Sequence, residues 1–333
     1  MSEEQKSSVE YSPWYQPLLS KLYDLKQQQR FPHALIIQSA FCNGGLLFLK
    51  QLTMLLLCDE VEDSRSCGLC PSCRQISAGC YADSMQITIE YDEKTRKLNR
   101  DIKIDQIRQL IYFLGLSSQH NNFKIATIYP AERMNKSASN SLLKTLEEPT
   151  NDSFILLMTH NVGRLPVTIR SRCQQFELVL PAIETSRNWL ENQGLKGELV
   201  TKYLDLAADD PHLALELKAI DFIQTVEQFR QLLHAFLKHQ TDVTKLVEQL
   251  QNLQPLILQL ILQKILTAYI QQVLSVNQKV TTTSSINKSK ARALMNLQQT
   301  SFRNLQVENN NLNLQLQLTD VLISLKQILT GSS

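Results

Sequence analysis

Four cysteines, Cys58, Cys67, Cys70 and Cys73, stand at C-x8-C-x2-C-x2-C spacing. Thiolates suit zinc, which takes about four such ligands in a tetrahedron. A two-residue gap lets one turn bring neighbouring sulfurs to a single ion, and the longer gap closes the site from the preceding helix. Four protein ligands leave no position for a reactive water, so the spacing predicts a structural zinc site. Cys80 is a fifth candidate that could replace Cys58, although Cys58 at a helix end completes the pattern better. A redox pair or plain buried thiols are the competing readings, and the overlapping C-x2-C steps favour metal over both. Cys42 and Cys173 stand apart as non-ligands.

A second stretch has the outline of a phosphate loop without its working parts. Such a loop, G-x-x-x-x-G-K-[ST], needs glycines for close approach of amides, a lysine for the β- and γ-phosphates, and a hydroxyl for magnesium. Residues 39–48 read SAFCNGGLLF: Gly44 and Gly45 remain, but Leu46 and Leu47 stand where lysine and hydroxyl belong. The strand in KIATIYPAER ends at Tyr129 and Pro130, in place of the acidic pair that would hold magnesium. Both losses predict weak or absent ATP binding. No paired carboxylates or nucleophile with a base suggest another chemistry, and Glu147 and Glu148 read as a helix end before Pro149.

The elements that must position these residues follow from hydrophobic period. HALIIQ, a small-residue turn SAFCNGG and the apolar run LLFLKQLTMLLLC give strand, loop and helix. Further strands are expected at Met85 to Tyr91, KIATIY, SFILLMTH and FELVL, with helices at Ile104 to Gly115 and SASNSLLKTLEE. Strands alternating with helices imply a mainly parallel sheet covered on both faces. Beyond about Gln175 the pattern is helix after helix: Phe222, Val226, Phe229, Leu233 and Phe236 share one face. TTTSS at 281–285 reads as a loop, and the Gln- and Asn-rich patches near 297–317 keep leucines at helical intervals.

Composition narrows the class. A chain of 333 residues implies two or three domains. With 34 Lys+Arg against 32 Asp+Glu, the charge of +2 is too small for tight unaided nucleic-acid binding through phosphate neutralisation. MSEEQKSSVEY lacks the apolar core of a secretory signal. The run Leu256 to Leu274 is interrupted by Gln259, Gln263, Lys264, Gln271 and Gln272, so a buried helix is expected rather than a membrane span. Seven cysteines with four at ligand spacing fit reducing conditions, and a soluble cytoplasmic protein with no membrane partner is expected.

VGRLPVTIRSRCQQFEL at 162–178, LLKTLEEPT at 142–150, the PHALI start at 32–36 and the cysteine pattern together resemble the clamp-loader branch of the AAA+ family, specifically its bacterial delta prime group. The resemblance covers most of the chain up to residue 180 and implies three domains. Residues 1–178 would be a RecA-like α/β AAA+ domain holding the zinc module at 58–73, residues 179–218 a small helical lid, and residues 219–333 an all-α collar that oligomerises. It implies a non-motor stator in a hetero-pentamer with delta and the gamma/tau ATPase subunits, which loads a sliding clamp on primed DNA. The nucleotidyltransferase activity of the DNA polymerase III holoenzyme would reside in another subunit. By the same resemblance Arg172 is an arginine finger acting in trans on a neighbour's γ-phosphate, with Ser171 and Cys173 positioning it. Thr159 to Asn161 would be a relic of the first phosphate sensor. His212 stands where the second sensor has arginine, and is expected to start a helix. Two alternatives have distinct signatures: an active AAA+ ATPase would bind ATP, and a zinc-dependent DNA-binding protein acting alone would bind duplex tightly and salt-sensitively.

Overall fold

HALIIQ, KIATIY and SFILLMTH are apolar on both faces, as suits strands covered by helices on either side. In the computed structural model, which describes residues 12–39, 42–92, 97–120, 123–150, 152–238, 240–251, 255–275, 284–306 and 314–330, they form the three central strands of a five-stranded parallel sheet. The first elements are α1 (Gln16–Gln27), β1 (Ala34–Ser39), α2 (Cys42–Leu57), a small ladder of β2 (Val61–Glu62) with β3 (Arg65–Ser66), α3 (Pro71–Ser77) and β4 (Ser84–Ile87). A second ladder, β5 (Tyr91–Asp92) with β6 (Lys97–Leu98), precedes α4 (Ile104–Gly115), β7 (Lys124–Ile128), α5 (Lys136–Glu147), β8 (Ser153–Thr159), the short α6 (Val167–Arg170) and β9 (Gln174–Leu178).

The sheet order is β4-β7-β8-β1-β9. Ala34 lies opposite Ile155, Leu35 opposite Gln174, Lys124 opposite Ser153 and Ser84 opposite Ile125, all in parallel register. The period of two sends alternate residues to opposite layers. Ala34, Ile36, Ile155 and Leu157 pack with Ile107 and Leu110 of α4 and Leu142 of α5. Leu35, Ile37, Leu156 and Met158 pack with Leu22 of α1 and Phe48, Leu52 and Leu56 of α2.

Three local expectations are corrected. The strand at 85–91 stops at Ile87, opposite Ile128, because the chain leaves the sheet after Tyr129 for the turn at Ala131–Arg133; Tyr91 pairs with Leu98 instead. FELVL is shifted upstream, into β9. Gly44 and Gly45 lie inside α2, which starts at Cys42, and not in a loop.

The remaining helices are α7 (Ile183–Asn192), α8 (Glu198–Leu206), α9 (Pro211–Ala219), α10 (Phe222–Leu237), α11 (Val243–Gln251), α12 (Pro255–Ser275), α13 (Ser284–Gln306) and α14 (Leu314–Thr330). The chain divides into two compact units, Met1–Leu215 and Glu216–Ser333. In the second, Phe222, Phe229, Leu233 and Phe236 are buried, as the helical spacing of α10 requires. Ile257–Leu274 of α12 is long and apolar enough to cross a membrane by length and composition alone. Yet Leu258, Ile261, Leu262, Ile265 and Leu266 are buried within the unit, while Gln263, Lys264 and Gln271 are exposed. The N-terminal MSEEQKSSVEY and positions 281–283 and 307–313 lie outside the described residues; Ser284 and Ser285 open α13.

Candidate functional site

The thiols converge where α2 ends. Cys58 directly follows α2, the β2–β3 turn returns the chain, and Cys67 follows β3. Cys70 caps α3, with Pro71 at the first helical position and Cys73 in the first turn. The four sulfurs lie within 4.8 Å of one another. Cys58 Sγ is 3.6 Å from Cys67 Sγ and 3.9 Å from Cys70 Sγ. A tetrahedron with metal–sulfur bonds of about 2.3 Å has sulfur–sulfur edges of about 3.8 Å, so the donor set fits one ion. Amides point at the sulfurs: Cys67 N–H donates to Cys58 Sγ, Cys70 N–H to Cys67 Sγ and Cys73 N–H to Cys70 Sγ, each at 3.3 Å.

These donors favour thiolate. For Cys67, burial raises the thiol pKa, but the amides of Leu69 and Cys70 outweigh it and bring it down to about 7. Burial pushes Cys73 and Cys58 upward. Ser72 Oγ donates to Asp59 Oδ1 at 2.9 Å, tying α3 to the segment after α2. Cys80 is exposed, with its thiol directed at the Gln75 carbonyl, and stands outside the cluster.

The N-terminal turn of α2, where phosphate would meet backbone amides, is covered by rings. Tyr15 Oη donates to the Gly44 carbonyl at 2.8 Å. A Cβ on Gly44 would lie 2.5 Å from that hydroxyl and 3.3 Å from the His212 ring. Gly45 lies close against β1 and β8: a Cβ there would meet Met158 Sδ at 3.0 Å and Ser39 Cβ at 3.3 Å. His212, in the first turn of α9, hydrogen-bonds Ser12 Oγ at 3.0 Å. Both tryptophans of the chain, Trp14 and Trp189, stand edge-on to it at 5.1 Å. Burial lowers its pKa to about 4. His212 thus starts a helix as expected and also fills the cleft, which sequence reasoning missed; only the scarcity of tryptophan marked these positions.

At the ends of β7 and β8 the Tyr129 hydroxyl and His160 Nε2 are 3.3 Å apart, where an acidic pair would hold magnesium. Glu132 lies beside them, its Oε1 accepting from the His160 N–H at 3.2 Å. Thr159 is buried, and Asn161 Oδ1 caps the next turn by accepting from the Gly163 N–H at 2.9 Å.

Arg172 stands in the turn between α6 and edge strand β9. Its Nη1 donates to the Thr168 carbonyl at 2.8 Å and to Ser171 Oγ at 3.3 Å. Its Nη2 pairs with Glu147 Oε1, and Nε is buried with no partner among the described residues. Cys173 is buried in the core against α4 and α5, and burial pushes its thiol up to about 12, making it an inert anchor. Glu147 is the last residue of α5, as a helix end before Pro149 should be. Its pairing with Arg172 across 25 positions went unread in the sequence.

The family described as "DNA polymerase III, delta subunit" matches residues 15–181. The DNA polymerase III subunit delta prime of Pseudomonas aeruginosa is 31% identical over 238 residues, covering 71% of this chain and 70% of that protein. The chain belongs to the DNA polymerase III delta prime family. DNA polymerase III subunit tau of Escherichia coli is 32% identical over 163 residues, 49% of this chain and 24% of that protein. A crystal structure of a DNA polymerase III gamma subunit-related protein from Thermotoga maritima shares the fold, with a TM-score of 0.53 and 19% identity over 92% of this chain and 99% of that one. This delta prime family member therefore stands among the clamp-loader subunits of the polymerase.

Proposed function

We propose that the chain is the non-motor stator of the DNA polymerase III clamp loader, binding no nucleotide itself and lending Arg172 to a γ-phosphate held by a neighbouring ATPase subunit. The observation that carries this reading is the covered turn of α2: the Tyr15 hydroxyl and the His212 ring stand over Gly44, where phosphate oxygens would need open amides. Leu46 and Leu47 supply neither charge nor hydroxyl, and Tyr129 and His160 supply no magnesium carboxylate. Arg172, by contrast, is on the surface of its unit at the sheet edge, beside the exposed Ser171. A guanidinium stays charged and its planar fork matches two phosphate oxygens. Ser171 and Cys173 position it, one by a hydrogen bond and the other by anchoring the turn in the core.

In this reading residues 1–178, 179–218 and 219–333 act as AAA+ domain, lid and collar. Partners are delta and the gamma/tau subunits in a hetero-pentamer, with the sliding clamp and primed DNA reached through the complex. Zinc held by Cys58, Cys67, Cys70 and Cys73 would cross-link a module too small to bury a core of its own. The test is reconstitution with the ATPase and delta subunits, comparing wild type with Arg172→Ala for DNA-stimulated ATP turnover. Assembly with turnover lost at one site supports the assignment; full turnover at every site removes it.

A further inference from the structure

Within Glu216–Ser333, a cleft of about 820 Å³ opens between α10, α12, α13 and the last turn of α14. Its lining is cationic. Arg230 and His234 face it from α10 and Lys238 from the cap that follows it. Their four-residue steps put them on one side of the helix, about 6 Å apart along its axis. Lys290 joins from α13, its Nζ donating to the Leu329 carbonyl at 3.3 Å. Glu227 is the single carboxylate among the described lining residues. It sits 3.7 Å from Arg230 with both side chains 56% exposed, so water screens the pair and Arg230 keeps most of its attraction for an outside anion. Arg230, His234 and Lys238 are exposed and Lys290 half-buried, so water screens their mutual repulsion and their donors are open to an anion entering the cleft.

The uncharged part of the wall selects among anions. Tyr269 contributes a half-buried ring, and Gln231 an amide with both donor and acceptor. Charged donors beside an aromatic ring are what a single strand requires, its phosphates taken by cations and its bases by the ring. An acidic peptide would use the cations but not the ring, and helical walls offer it no backbone edge to pair with. From this we infer that the cleft binds single-stranded nucleic acid. The inference goes beyond the stator role and is independent of Arg172. With a net charge of +2 on the whole chain, binding by the isolated protein is weak and shows at low salt.

Fluorescence anisotropy of a labelled oligo-dT strand against the full-length, metal-loaded chain tests it. Arg230, Lys238 and Lys290 neutralising about three phosphates give a slope of about −2 in log K against log salt, so a fourfold rise in salt weakens binding about 20-fold. Lys238→Ala with Lys290→Ala is expected to lower the slope by about 1.4 while circular dichroism stays unchanged. Glu227→Gln, which removes the one opposing charge, is expected to tighten binding about twofold to fivefold. An unchanged slope in the lysine variant, or weaker binding by Glu227→Gln, overturns the cleft assignment. A poly-glutamate peptide of equal charge that binds more tightly than the oligonucleotide, and is lost in the same lysine variant, overturns the ligand class.

Discussion

Deleting the Arg172 guanidinium should separate its structural worth from its worth to a neighbour. In the isolated chain Arg172 is 31% exposed and its partner Glu147 50% exposed, so the ion pair contributes about 1 kcal/mol or less. The hydrogen bond to the Thr168 carbonyl adds about 1 kcal/mol. Arg172→Ala is therefore expected to lower Tm by a few degrees and to leave a folded subunit able to assemble. Against a γ-phosphate in a neighbouring site, the same group is worth roughly a thousandfold in turnover, or about 4 kcal/mol. Single-turnover ATP hydrolysis in the reconstituted complex resolves the site: one fraction of the sites should fall by about that factor, and the rest should keep their rate. Arg172→Lys should recover little, because an ammonium cannot present two parallel donors. Glu147→Gln should release the guanidinium and change turnover by no more than about fivefold, the worth of the exposed pair. Wild-type single-turnover kinetics in Arg172→Ala would refute a trans donor and leave Arg172 as a brace for the α5 end; a variant too unstable to assemble would instead refute a structural worth of about 2 kcal/mol or less.

Isolated protein mixed with labelled ATP and Mg²⁺ is expected to show no saturable binding up to millimolar concentration, measured by equilibrium dialysis; triphosphate retained beside Gly44 would contradict the covered turn. Elemental analysis should find about one zinc per chain, falling close to zero in Cys70→Ser, with new protease cleavage at 58–80. Full metal content in that variant would remove Cys70 from the ligand set. His212 has its pKa lowered from 6.5 to about 4 by burial, so between those values the unfolded chain takes up a proton that the folded chain refuses. Stability is thus full above pH 6.5 and declines toward pH 4 by about 3 kcal/mol, with Asp210, raised by burial, acting in the opposite sense at the acid end. Urea midpoints at pH 7 and pH 5 should converge in His212→Gln relative to wild type; an undiminished difference would place the acid sensitivity elsewhere.

What was legible in the sequence is what local physics decides. Leu35 and Ile37 go to one face of the sheet and Ala34 and Ile36 to the other because a strand alternates, and an apolar run on both faces already demands two covering layers. The thiols were legible for the same reason, since Cys67, Cys70 and Cys73 meet through one turn and a helix cap. Glu147 and His212 were read correctly for their own neighbourhoods, as a helix end and a helix start, and incompletely for the molecule. Their partners lie 25 and 200 positions away, where periodicity carries no information. The phosphate loop joins the two kinds of knowledge. Losing lysine and hydroxyl at 46 and 47 removes the groups that would attract a hydrated triphosphate, and this is visible residue by residue. Packing Tyr15 and His212 against Gly44, with Trp14 edge-on to both rings, is favourable where no anion has to enter, for the rings gain apolar contact and the Gly44 carbonyl gains a donor. Restoring lysine alone at position 46 is therefore expected to place a cation beside the Tyr15 and His212 rings without moving them, and saturable triphosphate binding by Leu46→Lys alone would contradict that.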